Sequence, residues 1–209
     1  MKWQNEIVPY KIKTDRLVIK CWEPGYALQL RNEIEKSSPS LLPWMPFAKP
    51  PFPTLNEEIN TIRMFRGNYD LNKDFVLGVF DKEEKTVIGG SGLHTRQGIN
   101  VLEIGYWIGI DYQNKGYATE VASALVKTAF ELSDIVRVEI NTAVENIKSQ
   151  KVIQKLNMKL DGIIRKEVID ADGIHHDIKK WSLIREEYNQ SAIKDIRIKY
   201  FDSNNVEIE

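Results

Sequence analysis

The residues best placed by type and spacing to do chemistry lie between Leu102 and Thr119. There a strand-like run, Leu102 to Ile110, gives way to Asp111-Tyr112-Gln113-Asn114-Lys115-Gly116-Tyr117-Ala118-Thr119 and then to an amphipathic helix. A turn that enters a helix leaves backbone amides without intrahelical acceptors, and they point along the positive end of the helix dipole. Anionic phosphate suits such a place. Gly116 lets main chain approach a ligand closely, Ala118 keeps the first turn uncrowded, and Lys115 adds a flexible positive charge. An ordinary strand-to-helix turn with one glycine has the same spacing, so the residues alone leave both readings open. Neither Gly-x-x-x-x-Gly-Lys-Ser/Thr nor Gly-x-Gly-x-x-Gly occurs, which leaves kinase and dehydrogenase chemistry unsupported.

Other reactive side chains are scattered. Trp44, in a Pro-rich loop, reads either as a packing anchor or as part of a site wall. His94, just after a strand, is either structural or an alternative base. His175 and His176 alternate faces on a strand and cannot easily reach one metal together, so no metal is expected. Cys21 reads as buried packing rather than as a nucleophile.

These residues belong to a chain of 209 with 42% hydrophobic and 28% charged composition, which fits one soluble globular domain and rules out disorder as the main state. Such a length buries a sizeable core without disulfides or a structural metal. Twenty-nine Lys and Arg against thirty Asp and Glu give a net charge of −1 and no basic field for nucleic acid. A single cysteine cannot form an internal disulfide, which points to a reducing compartment. Lys2, Glu6, Lys11, Lys13, Asp15 and Arg16 precede any long apolar run, the wrong order for a signal peptide. No stretch approaches the ~20 apolar residues of a membrane span. A cytoplasmic protein without membrane or nucleic-acid partners is expected.

The elements follow from periodicity. Arg16 to Trp22 reads as a first strand closed by Pro24-Gly25, and Tyr26 to Lys36 as a short helix stopping before Ser37-Ser38-Pro39. A Pro-rich loop fills Ser38 to Pro53. Thr54-Leu55-Asn56-Glu57 is a capping-box pattern that starts a helix to about Tyr69 with Ile59, Ile62, Met64 and Phe65 on its apolar side. Phe75 to Phe80 and Thr86 to Leu93 read as an antiparallel pair, and Val101 to Ile110 as a further strand in which Gly105 and Gly109 signal a bulge or a close backbone approach. Tyr117 to Leu132 is the clearest amphipathic helix. Val136 to Thr142 reads as a buried strand. Asn146 caps a helix with Val152, Ile153 and Leu156 inward, and Asn157 ends it in the left-handed region. Ile163 to Ile169 and His176 to Ile184 flank an Asp172-Gly173 turn. Residues 190–209 form an extension, read as a short hairpin that covers a sheet edge or as a dimer contact, so that monomer and homodimer both stay open.

Gln113-Asn114-Lys115-Gly116-Tyr117-Ala118 resembles the Gln/Arg-x-x-Gly-x-Gly/Ala pyrophosphate loop of the GNAT superfamily of acetyl-coenzyme A-dependent N-acetyltransferases. Thr14 to Ile19, Leu42-Pro43-Trp44-Met45-Pro46, Ile88 to Leu93, Glu103 to Ile108 and Asn146 to Val152 are similar to one branch, the bacterial ribosomal-protein N-terminal (alanine/serine) acetyltransferases. The matches run in order from about Lys11 to Tyr188, within a domain taken as 1–189. Asn157-Met158 stands where the family usually has Gly-Phe, which suggests a reshaped wall near Met158, and Trp181 replaces a smaller residue.

The resemblance implies an α/β fold with a mixed, mostly antiparallel sheet, splayed at the cofactor cleft and flanked by helices on both faces. It implies acetyl-coenzyme A as cosubstrate, with Trp107, Ile108, Gly109 and Ile110 pairing with pantetheine through main chain. Gln113, Asn114, Lys115, Gly116, Tyr117, Ala118 and Thr119 would hold the pyrophosphate, and Asn141 and Asn146 would lie near the pantetheine and thioester. Direct transfer needs a neutral amine and a proton for the departing thiolate. Ser149 matches the family's hydroxyl near the thiol and is the expected acid. Glu103, on an otherwise apolar strand where a raised pKa suits proton acceptance, and Glu167 are the candidate bases. Trp44 and His94 are expected at the acceptor side. The acceptor is a primary amine of a peptide N-terminus, a polyamine, an amino sugar or an antibiotic; the alternative is a coenzyme A-binding sensor or interaction module without catalysis.

Overall fold

The computed structural model describes residues 8–208, so the readings of Lys2 and Glu6 lie outside the described residues. In chain order the elements are β1 (Lys11–Lys13), β2 (Leu17–Cys21), α1 (Ala27–Leu41), α2 (Leu55–Asp70), β3 (Phe75–Asp81), β4 (Val87–His94), β5 (Val101–Ile108), α3 (Tyr117–Glu131), β6 (Arg137–Ala143), α4 (Ile147–Lys155), β7 (Lys159–Ile169), β8 (His175–Ile184), α5 (Arg185–Tyr188), β9 (Lys199–Phe201) and β10 (Glu207–Ile208). The strands form one sheet in the order β10-β9-β1-β2-β3-β4-β5-β6-β8-β7. Among the described residues every neighbouring pair is antiparallel except β5 and β6. That parallel pair lasts only from Val101↔Arg137 to Glu103↔Glu139. Beyond Glu103 the two strands separate, which is the expected splay.

Alternation along the strands builds two cores. Val18, Phe80 and Val87 meet Leu30 of α1 and Ile62 of α2 on one face. On the other, Leu17, Ile19, Leu77 and Ile104 meet Val121, Leu125 and Ala129 of α3. Each fully buried Val, Leu or Ile contributes ~1.5–3 kcal/mol, so the helix that follows the glycine loop is fixed firmly to the sheet. No described helix is long and apolar enough to cross a membrane.

Several elements differ from the sequence expectation for identifiable reasons. α1 does not stop before Ser37 but continues through Pro39 to Leu41. Tertiary partners support that extra turn: Ser37 Oγ donates to Glu33 at 2.9 Å and accepts from Ile110 N–H at 2.9 Å, while Ser38 Oγ donates to Ala48 O at 2.7 Å. Thr54 and Glu57 form the expected capping box of α2, but Met64 is 57% exposed. Two residues past Ile62 it has turned about 200° around the helix, off the buried side. β5 ends at Ile108, and Ile110 lies in a short 3-10 turn. β6 is buried only at alternate residues. β7 starts earlier than expected and is interrupted by two irregularities in its pairing with β8. Asn157 adopts the left-handed φ of 56° expected at the end of α4.

The three-residue strand β1 escaped the pattern because it carries too little sequence to show alternation. β1 pairs with β2 on one side and with β9 on the other, and β10 pairs with β9. The tail thus lies along the sheet, with Ile196, Ile198 and Tyr200 packed against the larger core. Met158 belongs to that core too and does not line the cleft, so the expected reshaped wall is absent there.

Candidate active site

Where β5 and β6 part, the sheet opens into a cleft of ≈ 1670 Å³. That exceeds the ~300–1,000 Å³ usual for a single small ligand, leaving room for two reactants. It is lined by Trp44, His94, Glu103, Trp107, Ile108, Gln113, Asn114, Gly116, Tyr117, Ala118, Thr119, Asn141, Asn146, Ser149 and Glu167. Gly109, Ile110 and Lys115 are the expected residues that do not line it.

The β5 wall is a strand edge without a neighbour. Gly109 N–H donates to Ile88 O at 2.8 Å, so by alternation the N–H and C=O of Ile108 and Tyr106 point the other way, toward the gap. Gln113 Nε2 donates to Ile108 O at 3.1 Å, and the Ile110 amide is committed to Ser37. Of the four main-chain positions expected to meet pantetheine, Trp107 and Gly109 therefore face β4 and the Ile110 N–H is taken by Ser37, so that only Ile108 turns to the gap. Opposite, Asn141 Oδ1 is buried without a hydrogen-bond partner among the described residues. A buried acceptor left unsatisfied costs ~1–3 kcal/mol, which a ligand amide would relieve.

At the end of the cleft Gly116 sits at φ 82° as the residue before α3, a left-handed conformation in which side chains are strained. Asn114 is also left-handed, at φ 62°. The N–H groups of Tyr117, Ala118 and Thr119 have no acceptor inside the helix and stand at its positive end. The loop is braced from β2's side: Arg16 donates to Lys115 O at 2.9 Å, pairs with Glu120 at 2.6 Å and stacks 4.6 Å from the Tyr117 ring centre. Lys115 Nζ itself lies over the Tyr112 ring at 5.5 Å. An unpaired strand edge leading to an anion-ready helix end fits a long ligand with amides at one end and phosphates at the other.

Across the cleft from that edge, Asn146 caps α4 by accepting from Ser149 N–H at 3.1 Å. This fixes Ser149, whose Oγ is 2.9 Å from Tyr106 Oη. Burial pushes the Tyr106 hydroxyl up to about 12, against the opposing hydrogen bond from Ser149, so it stays protonated near neutrality. Tyr106 was not singled out from sequence; its signal was its alternation within Glu103 to Ile108, which turns it away from Trp107.

Glu103 corrects an expectation. Burial pushes its carboxyl up, but hydrogen bonds from Arg96, at 2.7 and 2.9 Å, and from Gln97 more than offset that, and it ends below the ordinary carboxylate range. The raised pKa expected of an apolar strand is absent because its partners come from the loop after β4. Glu167 pairs with Lys180 at 2.8 Å. His94 Nδ1 lies 3.0 and 3.1 Å from the two oxygens of Asp74. His175 and His176 make separate contacts, with Lys166 O and Asp170 respectively. Cys21 is buried, and burial pushes its thiol up to about 12, as a packing role requires.

The glycines of β4 and β5 are spaces that side chains fill. A Cβ on Gly90 would come within 2.5 Å of Trp107 Nε1, one on Gly92 within 2.8 Å of the His94 ring, and one on Gly109 within 2.0 Å of Glu33. Gly105 faces His94 Nε2 at 3.3 Å in the same sense. Close approach, rather than a bulge, is what Gly105 and Gly109 serve.

A family model described as an acetyltransferase (GNAT) domain matches residues 16–159. YdaF of Bacillus subtilis (strain 168), provisionally named a ribosomal N-acetyltransferase, is 30% identical over 176 residues, which cover 83% of this chain and 94% of that protein. The ribosomal protein uS5-alanine N-acetyltransferase of Escherichia coli (strain K12) is 23% identical over 177 residues, 84% of this chain and 91% of that one. The fold is also that of the microcin C7 self-immunity acetyltransferase MccE, solved with acetyl-CoA and AMP: TM-score 0.75 and 20% identity, covering 82% of this chain and 93% of that one.

Proposed function

The chain belongs to the GNAT acetyltransferase family and is an N-acetyltransferase, and from that premise we propose that it transfers acetyl from acetyl-coenzyme A directly to the N-terminal amine of a protein. The observation that carries the cosubstrate is the parting of β5 and β6 after Glu103 and Glu139, an unpaired strand edge that ends at the Gly116 turn. A protein acceptor is supported by the ribosomal substrates in the names of YdaF and the uS5 enzyme and by a cleft large enough for two reactants. A ribosomal acceptor also fits a cytoplasmic setting.

Acetyl-coenzyme A supplies an activated thioester, and no covalent bond to the chain is needed. The main chain of Tyr106 and Ile108 holds the pantetheine arm as a strand neighbour would, and the buried Asn141 Oδ1 accepts from one of its amides. Gly116 and the free amides of Tyr117, Ala118 and Thr119 hold the pyrophosphate, with Asn114 and Gln113 shaping the turn and Arg16 bracing it. Ser149 gives a proton to the departing sulfur, the Tyr106 hydroxyl beside it restores the proton of Ser149, and solvent restores that of Tyr106. Glu103 and Glu167, each paired to a cation, act as walls of the cleft, while Trp44 lines its entrance.

Thiol release from acetyl-coenzyme A, measured across N-terminal peptides, polyamines and aminoglycosides, tests the reading. Release that depends on N-terminal peptides is expected. Release only with a small amine replaces the acceptor, and release with none of them, despite tight cosubstrate binding, overturns the catalytic assignment.

A further inference from the structure

The acceptor amine must lose protons in order to react. Its ammonium carries three hydrogens and the product amide one, so two protons leave nitrogen, and only one of them ends on the thiol. The remaining proton needs an acceptor at the point where the amine arrives, and Glu103 is a poor one because Arg96 and Gln97 already occupy its oxygens.

His94 stands at that point. A carboxylate only accepts hydrogen bonds, so the Asp74 contacts at 3.0 and 3.1 Å require Nδ1 to donate, which leaves the lone pair of the neutral ring on Nε2. Nε2 has no hydrogen-bond partner among the described residues and lies over Gly105, in the stretch of β5 that has lost β6 as a neighbour. Gly92 and Gly105 give the ring its seat, since a Cβ on Gly92 would meet it at 2.8 Å and one on Gly105 at 3.3 Å. The side chain is 15% exposed, open to the cleft but shielded from bulk water.

The register supplies the second half. Gly105 and Tyr106 are consecutive, so their side-chain directions fall on opposite faces of the sheet. Trp107, on the Gly105 side, packs with the α1–α2 core, whereas Tyr106 packs with the core under α3. His94 thus lies on one face and the Tyr106–Ser149 pair on the other, separated by one strand at the splay. Direct transfer can use that arrangement, because attack on the thioester carbon gives a tetrahedral centre that carries the entering nitrogen and the departing sulfur as separate substituents, each within reach of its own proton-transfer group.

We propose that Asp74 and His94 form the proton-accepting dyad of the acetyltransferase, with His94 Nε2 as catalytic base and Asp74 as the residue that positions it. The assignment rests on the proposed acetyl transfer. His94 takes the first proton from the acceptor ammonium and passes it to solvent; the freed lone pair adds to the thioester carbon; His94, neutral again, takes the second nitrogen proton as the C–S bond breaks and Ser149, resupplied from solvent through Tyr106, protonates the sulfur. The proton on His94 then passes to solvent. The charged groups that interact with the dyad are Arg96 from the loop after β4, through Asp74, and Glu103 on β5, through His94.

The test uses the full chain with an N-terminal peptide on which the wild type turns over; a wild type that binds acetyl-coenzyme A and acetylates no amine sinks the transfer reading itself, independently of the dyad. His94→Ala is expected to lower kcat/KM by ~10²–10³-fold, the scale of general base catalysis, with cosubstrate affinity within twofold and partial recovery on adding imidazole. Turnover within threefold of the wild type, or a loss that imidazole leaves untouched in a folded variant, overturns it. Asp74→Asn leaves the ring and its glycine seat in place and so covers the case in which His94→Ala does not fold. It should lower kcat by ~10–100-fold with the acceptor KM within threefold, and Asp74→Glu should restore most of the loss, because a carboxylate at this place holds Nδ1–H and so fixes the ring's tautomer. A kcat within threefold of the wild type, or an equal loss in Asp74→Glu, overturns the dyad.

Discussion

The two ends of the cleft are made of different materials. Around Gly116 the binding surface is main chain: a left-handed turn, the first amides of α3 and the open edge of β5, contributed by one continuous stretch from Tyr106 to Thr119. Around His94 it is side chain, gathered from the loop before β3, the end of β4, the loop after it and β5. Main chain presents the same groups whatever the neighbours are, so the first surface suits a constant cosubstrate. Side chains drawn from separate segments vary independently, which suits an acceptor that differs between relatives. Variants of the two ends should therefore fail in different ways.

The largest failure is expected at Gly116. A Val there is forced into a φ of 82° that a β-branched residue does not tolerate, and its side chain occupies the place of the phosphate. Gly116→Val should weaken acetyl-coenzyme A by at least ~100-fold by calorimetry, the equivalent of ~2.7 kcal/mol. Undiminished affinity removes the main-chain account of this end.

Next in size, Ser149→Ala should lower kcat by ~10–100-fold and leave cosubstrate affinity nearly unchanged. Tyr106→Phe should produce a smaller drop, and the double variant should be no worse than Ser149→Ala alone, because the two hydroxyls at 2.9 Å act as one path. Additive losses in stopped-flow thiol release separate the pair into independent groups.

Gly92→Ala is a gentler probe of the acceptor end. Its Cβ arrives 2.8 Å from the His94 ring and 3.0 Å from Phe75 O, so the ring or the strand must shift. Turnover should fall ~10-fold with cosubstrate affinity intact, since a misplacement of about 1 Å costs on the order of 10²-fold at most in well-ordered sites. Reduced affinity with normal turnover at saturation inverts the comparison.

The same contrast explains what could be read from the chain. The turn from Gln113 to Thr119, the helix behind it and the capping role of Asn146 are encoded within a few residues of one another, and spacing was sufficient. Glu103 was legible as a carboxylate on an apolar strand but not as an ionised one, because Arg96 and Gln97 reach it across a β4–β5 turn whose conformation no local rule fixes. Asp74 is 20 residues from His94 and meets it only because β3 pairs with β4. Pro39 suggested the end of α1, and the tertiary bonds of Ser37 and Ser38 overrode it.

The smallest effect, and the one that isolates the acceptor end electrostatically, is expected from Arg96→Gln. In the wild type the Glu103 carboxyl lies below its ordinary range, with burial opposed and outweighed by Arg96 and Gln97. Its unfolded value is about 4.3, so the unfolded chain binds the proton more readily. The contribution to stability is then complete above that value and is lost as pH falls through the lower folded pKa. Without Arg96 the burial that dominates the opposing side has less to oppose it, and the folded pKa moves up. Should it pass the unfolded value, the sign reverses and the folded state gains stability relative to neutral pH as the carboxyl protonates. Arg96→Gln should lower the urea stability by about 1–3 kcal/mol at pH 7, the range for leaving a buried charged group short of partners. The deficit should shrink on acidification toward pH 4, and acetyl-coenzyme A affinity at the Gly116 end should not change. A deficit constant with pH assigns the loss to the packing of the Arg96 stem; a matching fall in cosubstrate affinity ties together the two ends that the structure keeps apart.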